Sequence, residues 1–109
     1  MPRLVYVEKN YTVSAGASLA DIFFRRMGEK AVFLHYLKIV TDANTSKAEI
    51  YVDGYKFAPS LSASTSFELG KPILFDKVLI NDNISVNITA SSTASTTVTV
   101  YAYIEVATE

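Results

Sequence analysis

The 109 residues contain no cysteine and no tryptophan, and histidine occurs once, at His35. Without thiols there is no disulfide, no thiolate nucleophile and no cysteine-type zinc site, so the fold must be held by burial of apolar surface. Charge of one sign is also lacking: ten Lys and Arg stand against eleven Asp and Glu, for a formal net charge of −1. That balance leaves no electrostatic footprint for nucleic acid or for an anionic membrane. The one local basic cluster, Arg25, Arg26 and Lys30, reads as the solvated flanks of a turn. The opening LVYV is interrupted at once by Glu8 and Lys9, too short for a signal peptide or a membrane span, so unless a leader has been trimmed the chain is expected to be made in the cytoplasm and to stay there.

What is present is apolar. Hydrophobic residues make up 50% of the chain and charged ones 19%, and 109 residues suffice for one domain, 1–109, with a single core between two layers. Apolar content this high in so small a chain has to be hidden internally or against a partner, which makes oligomerisation the expectation.

The strongest local signal is period two. In the closing run TTVTVYAYIEV, Val98, Val100, Ala102, Ile104 and Val106 fall on one face, while Thr97, Thr99, Tyr101, Tyr103 and Glu105 fall on the other. The preceding ISVNITA repeats the pattern, with Ile84, Val86, Ile88 and Ala90 set against Asn83, Ser85, Asn87 and Thr89. Strands with one dry and one wet face form antiparallel sandwich sheets. The glycines act as punctuation at Gly16, Gly28, Gly54 and Gly70, and between them strands are read at 4–9, 18–25, 31–41, 48–52, 55–57, 65–69, 73–80, 84–90 and 97–106. Asp53-Gly54 is the clearest hairpin signal, because both residues tolerate the positive φ of a type I′ turn. No capped helical period appears; only ADIFFRRM leaves room for a short helical turn. AVFLHYLKIVT is apolar on both faces, Phe33, Leu37 and Ile39 on one and Val32, Leu34, Tyr36 and Val40 on the other. Such a strand is either central and covered twice or part of a subunit interface. Pro59 and the Ser-rich stretch at 62–66 read as an exposed loop leading to an edge strand, and SSTASTT as a loop followed by the solvated face of a strand.

Chemistry is poorly represented. His35 sits between Leu34 and Tyr36 with no orienting partner signalled by spacing, and Asp21, Glu29, Asp42, Glu49, Asp53, Asp76, Asp82 and Glu105 are dispersed one per strand or turn. No catalytic, metal or cofactor site is indicated, and no enzyme is expected. Asn81-Asp82-Asn83 together with Asp42 and Asn44 offers hard oxygen ligands suited to Ca²⁺, although the same residues are ordinary turn formers. Four of the five asparagines lie in N-x-S/T form, at Asn10, Asn44, Asn83 and Asn87, which in a secreted chain would accept glycans. Tyr51, Tyr101 and Tyr103 point away from the core by phase, where amphipathic rings mark contact surfaces. With Tyr36 and Phe33 from the doubly apolar strand they are the candidate interface.

The order of these elements resembles the small β-sandwich or jelly-roll structural proteins of tailed phages and archaeal viruses. The resemblance is carried by an opening strand, a hairpin ending in YVDG, the phrase KPILFDKVLINDNISVNI, and the closing TTVTVYAYIEV. It implies an all-β, antiparallel, jelly-roll-like sandwich of about eight strands. It further implies a virion subunit (minor capsid, decoration, vertex or tail-associated) that is assembled in the host cytoplasm and contacts other copies of itself and other virion proteins. Two other readings suit a sandwich of this size. A carbohydrate-binding module would be expected to carry surface tryptophans, and a subunit of a strand-exchanged extracellular filament would make the N-x-S/T triplets meaningful.

Overall fold

A computed structural model describes residues 3–56 and 72–107. Its strands are β1 (Arg3–Val13), β2 (Ser18–Arg25), β3 (Ala31–Val40), β4 (Thr45–Val52), β5 (Tyr55–Lys56), β6 (Pro72–Leu79), β7 (Asn83–Ala90) and β8 (Thr96–Ala107). They form two four-stranded sheets, ordered β1-β8-β3-β6 and β2-β7-β4-β5, with every ladder antiparallel. First pairs with last, second with seventh, third with sixth and fourth with fifth. This nested pairing is the jelly-roll arrangement of a two-sheet sandwich. The strand read at 65–69 lies outside the described residues.

The residues that alternate in the sequence line the core. Ile84, Val86 and Ile88 from β7 and Val98, Val100, Ala102 and Ile104 from β8 are essentially inaccessible to water. Both strands are flanked on each side, β7 by β2 and β4, β8 by β1 and β3, which explains why their patterns are the cleanest in the chain. Strand β1 runs four residues beyond the stretch read from the sequence and buries Tyr11 and Val13. ADIFFRRM holds no helix: β2 continues to Arg25, and the register shift between Ile22 and Phe24 lets both Phe23 and Phe24 reach the core.

Strand β3 departs from the expected phase. Leu37 and Ile39 do not share a face with Phe33; they join Val32 and Leu34 in the core, all four at 0–1% exposure. The cause is a bulge. Leu34 pairs with Ile104 and Tyr36 with Tyr103, so His35 is an extra residue facing no partner of its own on β8. One extra residue flips the phase of everything that follows it, which no reading of strict alternation anticipates. The facing strand is irregular at the same level, since Leu34 pairs with Val78 but Tyr36 with Leu74, and Lys77 there has φ 55°.

Three polar knots close the ends. The hairpin between β4 and β5 turns at Asp53 and Gly54, with φ 53° and 85°, as a type I′ turn requires. The Asp53 carboxylate then accepts the backbone N–H groups of Asn81, Asp82 and Asn83 at 2.9, 2.6 and 3.1 Å. At the other end Asp42 accepts the Thr96 hydroxyl at 2.6 Å and the N–H groups of Asn44 and Thr97 at 2.8 and 3.1 Å. Partial burial works against its ionisation, yet these donors hold its carboxyl below the usual range. Arg26 is not a solvated flank, because its guanidinium donates to the carbonyl oxygens of Glu29, Lys30 and Ile80 and so clamps a loop to the sheet. Arg25 and Lys30 are exposed.

Candidate functional site

The outward positions of the β1-β8-β3-β6 sheet align in rows across the strands. One row holds Leu4, Glu105, Phe33 and Leu79; the next holds Tyr6, Tyr103 and Tyr36; the third holds Glu8, Tyr101 and Lys38. Further along come Asn10 with Thr99 and Thr12 with Thr97. The aromatic and apolar side chains therefore collect toward one end of the face, and the small polar ones toward the other. Tyr103 is central to the cluster, with ring centroids 5.1 Å from Tyr6 and 5.4 Å from Tyr36, while Tyr6 lies 6.2 Å from Tyr101. These tilted and edge-on contacts suit the ring quadrupoles and hold the rings in place. Of the six large hydrophobic side chains exposed among the described residues, Leu4, Tyr6, Leu79 and Tyr103 stand here.

Charges are threaded among the rings. Glu105 binds His35 Nε2 through Oε1 at 2.8 Å and pairs with Lys77 Nζ through Oε2 at 3.6 Å. The His35 bond leads, with help from Lys77 and against partial desolvation, in holding the Glu105 carboxyl below the usual carboxylate range. Lys77 also lies 4.7 Å from the centroid of the Phe33 ring and Lys38 5.5 Å from that of Tyr101, both within cation–π range. Tyr6 donates to Glu8 at 2.9 Å. Crowding by its neighbours, followed by that carboxylate, pushes the Tyr6 phenol up to about 12. A shallow cleft lined by Arg3, Leu4, Lys77 and Glu105 opens at the apolar end. The two bulges produce this cluster by turning His35 and Lys77 toward Glu105.

The outer face of the other sheet has a different character. Ser18, Thr89, Ser85, Asn87 and Asn83 occupy it, with Ser18 and Thr89 bonded at 2.9 Å. Glu49 is 7% exposed and takes Lys56 at 2.9 Å, Lys47 at 3.6 Å and the Tyr51 hydroxyl at 3.3 Å. The Lys56 bond is the main cause of a lowered Glu49 carboxyl, and Lys56 rises in return. Every oxygen of Glu49 is thus already engaged, which makes the cluster a cross-strand brace.

The structure sorts the sequence-derived candidates. Tyr36, Tyr101, Tyr103 and Phe33 come together on one face, Tyr36 and Phe33 meeting only because the His35 bulge reverses the phase between them. Tyr51 is on the opposite sheet. Tyr6 and Leu4 belong to the cluster although the sequence did not single them out; the alternation of Val5 and Val7 against Leu4, Tyr6 and Glu8 was the available signal. His35 does have an orienting partner, Glu105, 70 residues away, but no hydroxyl is bonded to its ring among the described residues. The two loops with oxygen ligands lie at opposite ends of β4, which begins at Thr45 opposite Ala90 and ends at Val52 opposite Ile84. Asp42 and Asp82 therefore cannot share an ion.

No protein-family model matches the chain, and no curated protein matches it. Among solved structures, a chain of the cyanophage Pam1 capsid asymmetric unit superposes with a TM-score of 0.57 at 14% identity, covering 97% of this chain and 84% of that one. A protein of the Bacillus endospore appendages, a family of disulfide-linked pili, gives a TM-score of 0.48 at 17% identity over 100% of this chain and 92% of that one. The STIV MCP gives 0.46 at 10% identity over 94% of this chain and 48% of that one. The fold is capsid-like. At such identities the likeness extends to the fold and no further.

Proposed function

We propose that the chain is a non-enzymatic structural subunit of a virus particle, acting through protein–protein contacts made by the outer face of the β1-β8-β3-β6 sheet. The observation that carries this reading is the tyrosine cluster: aromatic rings fixed by one another, rimmed by Leu4, Phe33 and Leu79, left open to water on the outer face of a sheet. Rigid aromatic side chains lose little entropy on binding and dominate the energy of protein interfaces. The capsid-like fold supports placing such a contact within a particle. Minor capsid, decoration, vertex and tail-associated positions all use the same physics, with other copies and other virion proteins as partners, and assembly takes place in the host cytoplasm.

Quantitative mass spectrometry of purified native particles tests the reading. A fixed, multi-copy stoichiometry that survives washing is expected. Absence of the chain from particles, with the protein recovered free in the infected-cell lysate, overturns it.

A further inference from the structure

The same face carries a charge pattern that matches itself, and we infer that its partner is a second copy of this chain, packed sheet on sheet about a two-fold axis running along β8. This inference rests on the reading above in taking the face as a contact surface, and it adds the identity and orientation of the partner. Strand β8 lies between β1 and β3. A two-fold axis along it, lying in the plane of the contact, places β1 of each copy over β3 of the other. An isologous interface of this kind must be complementary to itself.

The three rows at the aromatic end pass that requirement. In the third row Glu8 and Lys38 occupy β1 and β3 on either side of Tyr101. Two strand spacings, about 10 Å, separate their backbones within a chain, and among the described residues neither has an ion-pair partner in its own chain. The two-fold brings Glu8 over the partner copy's Lys38 and Lys38 over its Glu8, two ion pairs from one operation. In the second row Tyr6 meets Tyr36, and in the first Leu4 meets Phe33. The β8 residues lie on the axis and meet their own copies, so Tyr101 and Tyr103 pack on their like and Glu105 is the one charged group of these rows set against itself. That carboxylate is already matched within its chain by His35 at 2.8 Å and Lys77 at 3.6 Å, so the conflict is neutralised before the copies meet.

The two-fold faces β1, β8 and β3 of each copy and leaves β6 at the rim without an opposite strand. Three strands about 4.8 Å apart and roughly ten residues long, at about 3.3 Å each, present a plane of roughly 480 Å². The accessible area of so corrugated a surface exceeds its projection, which places the contact toward the lower end of specific interfaces, below the roughly 800 Å² per partner of the standard size, as suits a dimer that forms at high local concentration. A peptide or a single strand would cover only part of it.

A charge swap tests the orientation. Sedimentation velocity over a concentration series is run on the parent chain, Glu8→Lys, Lys38→Glu and the double variant, with circular dichroism melts establishing that each is folded. Each single variant, which sets like charges against each other twice, is expected to weaken dimerisation about tenfold or more. The double variant is expected to return to within about threefold of the parent, and Tyr51→Ser, on the opposite sheet, to leave dimerisation unchanged. A parent chain that stays monomeric at about 1 mM overturns the inference, as does a folded double variant no better than the singles. If such a monomer is still found at fixed copy number in particles, the self-pairing is wrong and the virion role stands.

Discussion

Glu105 links the stability of the outer face to pH. Its folded-state carboxyl titrates below the ordinary value of 4.5, first because of the His35 bond and then because of Lys77. A depressed carboxylate contributes stability that is present above the unfolded value and is lost as pH falls through the folded one, because protonation then binds the unfolded chain first. Urea midpoints for the parent and Glu105→Gln should therefore differ near neutral pH and converge as the pH falls below about 4.5. A gap that stays constant as the pH falls would show that the carboxylate is not held by His35 and Lys77. Ile104, one residue away and fully buried, tests packing instead. Ile104→Ala should lower the unfolding free energy by about 2 to 5 kcal/mol, the usual range for a large core truncation, measured by urea titration at neutral pH. The two neighbours also mark how far single residues could be read from the sequence. Ile104 was legible as core and Tyr101 and Tyr103 as outward, since phase alone decides that in a flat strand. The contact between His35 and Glu105 was not, because a pair 70 residues apart leaves no trace in local spacing.

At the scale of elements, phase succeeds where a strand is regular and fails where it bulges. Strands β7 and β8 alternate without interruption, and their faces could be assigned directly. Strand β3 was assigned with Leu37 and Ile39 on the wrong face because one residue, His35, does not count in its ladder with β8. That account makes an unusual demand of the chain. Deleting His35 leaves Leu34, Tyr36, Leu37, Lys38 and Ile39 in strict alternation with the same residues inward, so the variant should fold and melt cooperatively. Deleting Lys38 should do far worse: whether the bulge stays or is absorbed, either Ile39 or Leu37 must leave the core, at about 2 kcal/mol or more. Circular dichroism melts of the two deletions decide it. Equal damage from both would mean that His35 is an integral part of the ladder and that the bulge is wrongly placed. The remaining boundaries were missed for a gentler reason, since the ends of β1 and β4 depend on what they pack against: Tyr11 bonds to Asp21 at 2.9 Å and Thr45 to Thr96 at 2.7 Å.

The whole molecule has a property that none of its elements has alone. Every ladder joins a strand from the set β1 to β4 with a strand from the set β5 to β8, and among the described residues no ladder lies within either set. A strand left without a partner exposes its backbone donors and acceptors and buries no side chains, so neither half has a route to a stable sheet of its own. The nested pairing also closes its longest loop when β1 meets β8, and contacts so distant in sequence reward the chain only after most of its entropy has been lost. Folding should accordingly be all-or-none and slow for a domain of this size. Fragments 1–54 and 55–109, separated at the tip of the β4-β5 hairpin, give the cleanest test. Each alone should show no cooperative melt by circular dichroism, and an equimolar mixture should recover β-sheet signal and a single transition whose midpoint rises with concentration. If either fragment melts cooperatively by itself at low concentration, pairing within that half is sufficient, and the division of the sandwich into two mutually dependent halves is wrong. The same dependence bears on assembly. The tyrosine face takes β1 and β3 from one half and β8 from the other, so it exists only once the whole chain has folded, and a contact built on it would select complete subunits over partly folded ones.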